Sequence, residues 1–212
     1  MTEFERLRPG QWANTMDLSI LKPMARAYML TRRFNKTSLF NQPKRTRLLK
    51  KLFASIDGEP YHVQSPLYVE YGKNVYIGKN FLANYHLVIQ DGAPIHIGDN
   101  VLIASNVTIT TILHSMDAEK RIVQWVPQRF PKKHKGLYVK ALPITIGDNV
   151  WICSNVTVCA GVTIGDNTVI GAGSVVTQDI PSGFLACGTP CKVIRPIADD
   201  DKIMDSTVRG NF

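Results

Sequence analysis

From Ile144 to Cys191 apolar positions return at every sixth residue, in units that begin at Ile144, Val150, Val156, Val162, Thr168, Ser174, Ile180 and Ala186. Gly, Asp and Asn collect at the end of each unit, as in TIGDN, VWICSN and TVIGAG. An α-helix would bring its apolar stripe back about every 3.6 residues, so this beat excludes one. It fits a very short strand followed by a turn. Val, Ile and Thr suit a pleated surface, and Gly, Asp and Asn tolerate the turns between strands. The stretch TIGDN stands at Thr145–Asn149 and again at Thr163–Asn167, eighteen residues on. Three strand–turn units therefore close one coil, and the two copies stack. The pattern predicts a parallel β-solenoid, each coil burying its lead residues against its neighbours.

The same beat runs upstream. Val69-EYGKN, Val75-YIGKN, Phe81-LANYH and Leu87 keep sixes, Asp91-Gly-Ala-Pro slips the phase by two, and Ile95-HIGDN, Val101-LIASN, Val107-TITTI and Leu113 resume it. It stops at His114 and returns at Ile144, which assigns residues 115–142 to a long loop. Loops of that length inside a compact fold usually carry function or lack structure. Residues 1–60 lack the rhythm and read as helical. One helix is predicted over Met16–Arg33, burying Ile20, Leu21, Met24, Ala27, Tyr28 and Leu30, with Pro23 near its start. A second follows Asn41-Gln-Pro, with Leu48, Leu49, Leu52, Phe53 and Ile56 opposite Lys44, Arg45, Arg47, Lys50 and Lys51. A basic amphipathic helix can lie on a membrane; the expectation here is a cap over the first coil, because end coils need cover. The chain thus divides into a helical cap (1–60), a solenoid (61–197, beginning near Val63) and a tail (198–212) in which Asp199–Asp201 would cap a last short helix.

Composition narrows the function. At 212 residues the chain is one domain with a small appendage. MTEFERLRPG mixes charges of both signs, so no secretory leader is expected, and no apolar run is long enough for a membrane span. Cys153, Cys159, Cys187 and Cys191 have no C-x-x-C spacing, and read as small apolar fillers in a reducing compartment, the cytoplasm. The net charge of +8 calls for nucleic acid or for a phosphorylated small molecule such as coenzyme A. No nucleic-acid motif is present, which favours the cofactor.

Chemistry points first to His114, a histidine where the rhythm breaks and the loop departs. Imidazole is the side chain suited to general-base work near neutral pH. The bland alternative is a structural histidine.

These hexads, of the form [Ile/Val]-Gly-x-x-[small]-x, resemble the hexapeptide-repeat acyltransferases. The run Pro143–Ile197 is similar in particular to the sugar O-acetyltransferases of the maltose and galactoside type, with the nodulation acetyltransferases beside them. The resemblance covers most of the chain. It implies a mainly β fold, a left-handed parallel β-helix with an N-terminal helical segment and a protruding loop; the handedness is an exception to the right-handed crossover rule. It also implies a homotrimer, acetyl-CoA as co-substrate in a groove between two subunits, no metal, and direct transfer to a hydroxyl of a sugar or sugar-like acceptor.

Residue by residue, the resemblance makes His114 the catalytic base. Asn84, in Asn80-FLAN, becomes its partner at the acceptor or the developing oxyanion, an amide being able to donate and accept; otherwise it is a turn asparagine. Asp91 falls at an acidic position that holds sugar hydroxyls, although the family often has two acids where this chain has Asp91-Gly92. Glu70 and Tyr71 line the acceptor pocket, and Glu70 replaces a smaller polar residue, which hints at a different acceptor. Asn14 or Asp17 would supply an N-terminal acceptor contact. Trp151 would pack the pantetheine arm; Ser154 and Ala172 would meet its amides. Thr177 and Gln178 also match cofactor positions, and Lys192 and Arg195 would meet phosphates. In the loop, Trp125, Phe130 and Tyr138 among Lys132, Lys133, Lys135 and Lys140 could stack on sugar rings, bind an anionic acceptor or bury against a neighbouring subunit.

Three rivals stand beside this reading. One is the same fold acting on an amino sugar, an antibiotic or a polysaccharide unit. Another is a γ-carbonic-anhydrase-like hydratase, which needs an H-x4-H pair of zinc ligands; His62, His86, His96, His114 and His134 offer no such interval. The third is a non-catalytic scaffold, against which His114 at the loop root argues.

Overall fold

In the computed structural model, which describes residues 1–8, 10–58, 61–118 and 137–198, the chain opens with α1 (Glu3–Leu7), β1 (Ala13–Asn14), α2 (Leu18–Asn35) and α3 (Gln42–Leu52). Asp17 caps α2, its carboxylate accepting from the Ser19 amide at 2.8 Å, and Asn41 caps α3 through the Lys44 amide. Pro23 lies in the second turn of α2 rather than at its first residues. The second helix departs from its predicted basic face at one residue. Arg45 is buried, donates to the Thr37 and Val63 carbonyls at 3.0 and 2.6 Å, and lies 4.0 Å over the Phe34 ring. Its position on the helix faces α2 and the first coil, so its charge is satisfied inside the cap.

The solenoid starts at β2 (Ser55–Ile56), earlier than the predicted boundary, because β2 pairs in parallel register with β5 (Val75–Ile77). With β3 (His62–Val63) and β4 (Leu67–Val69) it makes the first coil. The second is β5, β6 (Leu82–Ala83) and β7 (Leu87–Gln90), and the third β8 (Ile95–Ile97), β9 (Leu102–Ile103) and β10 (Thr108–Thr110). The loop leaves through β11 (Ile112–Leu113) and returns through β12 (Tyr138–Ala141), which pairs antiparallel with both β11 and β1. Part of the predicted excursion is therefore strand. Trp125, Phe130, Lys132, Lys133, Lys135 and His134 lie outside the described residues. The fourth coil is β13 (Ile144–Ile146), β14 (Trp151–Ile152) and β15 (Thr157–Val158); the fifth is β16 (Thr163–Ile164), β17 (Val169–Ile170) and β18 (Val175–Val176). A sixth begins with an Ile164–Ile180 bridge and β19 (Phe184–Cys187), closed by antiparallel β20 (Lys192–Pro196). The predicted helix cap at Asp199–Asp201 lies outside the described residues.

The chain visits three sheets in rotation. The first holds β2, β5, β8, β13 and β16. The second holds β3, β6, β9, β14, β17, β19 and β20, and the third β4, β7, β10, β15 and β18. Alternate residues point inward, so Ile103, Ile109, Ile144, Ile152, Val158 and Ile170 form one buried core. Fully burying such a side chain contributes roughly 1.5–3 kcal/mol each.

The corner between the first and second sheets explains the Gly-Asp-Asn ending. Asn80, Asn100, Asn149 and Asn167 all take left-handed backbone (φ 54° to 57°). Each donates from its amide to the next, at 2.8, 2.9 and 3.1 Å. Beside them Asp99, Asp148 and Asp166 accept from the amides of Lys79, Asp99 and Asp148 on the coil before. Gly147 admits this approach, since a Cβ there would collide with Asp166.

Coil length changes along the stack. Leu67 pairs with Leu87, a spacing of twenty, while Thr145 pairs with Thr163, the predicted eighteen. The extra two residues sit at the corner between the third and first sheets, and they occur in both of the first two coils rather than at Asp91 alone. At the same corner of the third coil the loop departs.

Candidate active site

Two corners of this prism hold the predicted site residues. The corner from third sheet to first carries Glu70 and Tyr71 after β4, Asp91 after β7, and His114 after β10 and β11. Two coils on, Thr177 and Gln178 follow β18 at the same corner, exposed. The corner from second sheet to third carries Asn84 after β6, Ser154 after β14 and Ala172 after β17. Its ladder is continuous, the Gly173 amide donating to the Ser154 carbonyl at 2.9 Å. Trp151 stands on the outer face of the second sheet between Leu102 and Val169, and is 48% exposed, a large aromatic left uncovered beside that ladder. Lys192 and Arg195 lie exposed on β20, opposite Cys187 and Leu185.

His114 is exposed at the end of β11, held by the antiparallel pairing of Leu113 with Lys140. Asn84 is half-buried, and its Oδ1 accepts from the Tyr85 amide at 2.8 Å, which leaves its NH2 group to donate elsewhere. The two residues lie at opposite edges of the third sheet in one chain. A single copy therefore does not bring them together.

The predicted acceptor contacts divide. Asp91 and Tyr71 have no exposed surface. The Asp91 carboxylate accepts from the Tyr71 amide at 2.9 Å and the Asn74 amide at 3.2 Å, and Asn74 Nδ2 donates back to its carbonyl at 2.7 Å. Direct contact of Asp91 or Tyr71 with an acceptor does not match this enclosure; both are packed inside the corner, behind Glu70. Burial raises the Asp91 pKa to about 6, against the backbone amides of Gly72, Tyr71 and Asn74 that lower it. Glu70 is only partly covered. Burial pushes its pKa up to about 7, with the nearby Tyr71 hydroxyl pulling it down and the Asp91 charge adding to the rise. Its Oε2, like the Tyr71 hydroxyl, lacks a hydrogen-bond partner of good geometry among the described residues. Glu70 borders a cavity of about 260 Å³ between the third sheet and Met24, Tyr28 and Thr31 of α2.

Of the N-terminal candidates, Asp17 spends its carboxylate on the α2 cap, and Asn14 is fixed by β12 and by Glu3 Oε2, which accepts from its amide at 2.7 Å. Sequence reasoning missed Asn74 and Thr111, which hold that packing. Thr111 Oγ1 donates to the Gln90 carbonyl and accepts from the Ala93 amide at 3.1 Å. The signal for Asn74 was the eight-residue step from Leu67 to Val75, which aligns YGKN with DGAP. The other histidines are accounted for otherwise: His96 stacks on Tyr76 at 4.7 Å, His86 occupies a left-handed turn, and His62 is exposed on β3. No group of three His, Cys, Asp or Glu side chains converges to hold a metal among the described residues. The four cysteines are free thiols. No described helix is long and apolar enough to cross a membrane.

Comparison with known proteins bears on this arrangement. Residues 143–178 match the bacterial transferase hexapeptide family (six repeats), and residues 71–111 match the hexapeptide repeat of succinyl-transferase. The galactoside O-acetyltransferase of Escherichia coli (strain K12) is 44% identical over 198 residues, covering 93% of this chain and 91% of that protein. Among solved structures, a galactoside acetyltransferase in complex with coenzyme A is 42% identical with a TM-score of 0.85, covering 95% of this chain and 94% of its own. A maltose O-acetyltransferase from Clostridium difficile 630 is 40% identical with a TM-score of 0.83, covering 94% and 99%. With the repeats, the coil stack and these relatives in agreement over nearly its whole length, the chain belongs to the left-handed β-helix, hexapeptide-repeat acetyltransferases, in the branch of the galactoside and maltose O-acetyltransferases.

Proposed function

We propose that this protein transfers the acetyl group of acetyl-CoA to a hydroxyl of a sugar or sugar-like acceptor, at sites formed between copies in a homotrimer. The observation that carries the reading is the split of the candidate residues between two corners. His114, Thr177 and Gln178 follow one edge of the prism; Asn84, Ser154, Ala172 and Trp151 follow or flank the other. When one edge of a copy faces the other edge of its neighbour, the halves meet. A cyclic arrangement repeats this contact and closes.

In that groove His114 takes the proton of the acceptor hydroxyl as its oxygen attacks the thioester carbonyl. The Asn84 NH2 donates to the resulting oxyanion, where a positioned donor acts on charge that develops only in the transition state. The tetrahedral intermediate collapses, the carbon–sulfur bond breaks, and the imidazolium returns its proton to the coenzyme A thiolate. Trp151 covers the pantetheine arm, Ser154 and Ala172 offer backbone groups to its amides, Thr177 and Gln178 border the arm from the other edge, and Lys192 and Arg195 pair with phosphates. Asp91 and Tyr71 act from behind by fixing the backbone at Glu70 and Asn74. The cytoplasm, with its acetyl-CoA and reduced thiols, suits the free cysteines.

Glu70 favours one refinement. A partly covered carboxyl on the wall of the cavity beside α2 suits an acceptor that donates hydrogen bonds or carries an ammonium, so amino sugars belong beside neutral ones. The test is thiol release from acetyl-CoA over a panel of mono-, di- and amino saccharides, with His114→Ala beside the parent. Release that falls about 10²- to 10⁴-fold in the variant, with coenzyme A binding retained, supports the reading. Undiminished release in the variant removes His114 from the chemistry, and absence of coenzyme A binding in the parent removes the enzyme.

A further inference from the structure

A second cavity, of about 510 Å³, opens where α1 and α2 meet the corner between the first and second coils. Arg8, Lys22, Arg26 and Lys73 line it together with Asn74 and Phe4, and none of its described lining residues is acidic. Among the described residues, none of the four cations forms an ion pair. Like charges gathered in one concavity repel, and a net deficit of counter-charge there is relieved by an anion.

Two buried atoms sharpen the point. Arg26 Nη1 and Asn74 Oδ1 have no hydrogen-bond partner among the described residues. Part of each group is committed: Arg26 Nη2 donates to the Lys51 carbonyl at the end of α3, while Asn74 Nδ2 donates to the Asp91 carbonyl. Asn74 has no exposed surface, so its acceptor lies behind the cavity wall and, like Asp91 and Tyr71, supports the cavity without touching a ligand. Leaving a buried polar atom unmatched costs about 1–3 kcal/mol, and more when it is charged. A tetrahedral oxyanion answers the excess of positive charge, its oxygens accepting from the guanidinium and lysine groups that line the cavity. The cavity is also in the size range of small-molecule sites, roughly 300–1,000 Å³.

We propose that this cavity binds a phosphate group, free or carried on a small molecule, through Arg26 with Lys22, Lys73 and Arg8. The site lies at the first two coils. The candidate coenzyme A positions Trp151, Ser154, Ala172, Thr177 and Gln178 are on the fourth and fifth, so the two do not overlap. It also accounts for part of the +8 net charge.

The experiment titrates the full-length protein with inorganic phosphate, glucose 6-phosphate and glucose, by calorimetry and by melting temperature. Each titration is run without coenzyme A and again with one equivalent of it per chain, and sodium chloride matches the ionic strength. Lys22→Gln/Lys73→Gln carries the test, because both lysines are exposed and their loss leaves the cap intact; Arg26→Gln is a second variant. Saturable binding of phosphate or glucose 6-phosphate, weakened about tenfold or more in the lysine pair, is the expected result. Tighter binding of the sugar phosphate identifies a carried phosphate; equal binding identifies the free ion. No binding beyond the chloride control overturns the proposal, as does binding that the lysine pair leaves unchanged.

Discussion

Replacing Glu70 by Gln removes a carboxyl that this fold prefers protonated. The ordinary carboxylate of glutamate titrates at about 4.3; here burial raises it to about 7. At about 1.36 kcal/mol for each pH unit between those values, the ionised form costs the folded chain roughly 4 kcal/mol at most. The sign follows from proton binding. Between the two values the folded state holds a proton that the unfolded state has released, so stability falls as pH rises from about 4 to about 7. Glutamine cannot ionise and keeps nearly the same volume. Glu70→Gln should match the parent at pH 4.5 and exceed it above pH 7.5 by about 1–3 kcal/mol, the difference opening across the window between. Urea unfolding at a series of pH values and fixed protein concentration measures this. A variant less stable than the parent at pH 8 would mean that Glu70 meets a cation, and a difference that does not change with pH would mean an ordinary carboxyl; either result refutes the argument.

Four further outcomes follow from the same structure. Co-assembled trimers of His114→Ala and Asn84→Ala chains, each inactive alone, should recover about one quarter of parental acetyl transfer if, as proposed, each site draws one edge from either copy; no recovery in mixed trimers would place both residues in one chain's site. Gly147→Ala, which drives a methyl group into Asp166, should lose about 1–3 kcal/mol in chemical denaturation. Asn100→Gly should be milder than Asn100→Ala, because both break the amide ladder but only alanine strains the left-handed backbone (φ 57°); equal losses would assign the whole effect to the ladder. Arg45→Met should cost about 2–4 kcal/mol, since the Thr37 and Val63 carbonyls lose their donor, and thermal unfolding reads it.

The repeating part of the fold was legible because its physics is local. Each lead Ile or Val meets the same environment one coil later, so Ile95, Ile144 and their neighbours announce the coil in the sequence itself. The Gly-Asp-Asn endings likewise mark a corner whose ladders bind each residue to its own counterpart. The cap resisted for the opposite reason. Arg45 looks like a solvated base from its helical position, and only the carbonyls of Thr37 and Val63, and the face of Phe34, make it an interior residue. At the candidate site, His114 stands out in the sequence as a break in rhythm. The enclosure of Asp91 was not, since it depends on amides of the adjacent coil. Nor does the sequence gather Arg8, Lys22, Arg26 and Lys73, which come from two helices and a corner.

The position of the loop has a consequence for how freely this protein can vary. Thr108 pairs with Thr157 across forty-nine residues, in the register it would keep had the chain turned directly. Closing that step rather than an ordinary one of twenty costs the folding chain only about 0.8 kcal/mol of additional closure entropy, because the penalty grows with the logarithm of length. The other two strand pairs between the third and fourth coils, Ile95 with Ile144 and Leu102 with Trp151, cross the same excursion, and the remaining parallel contacts span one coil. Insertions and deletions within the excursion are therefore almost neutral for assembly of the stack, while they rebuild the surface next to His114. On the proposed function, selection can alter the acceptor there at little thermodynamic expense to the prism that holds it.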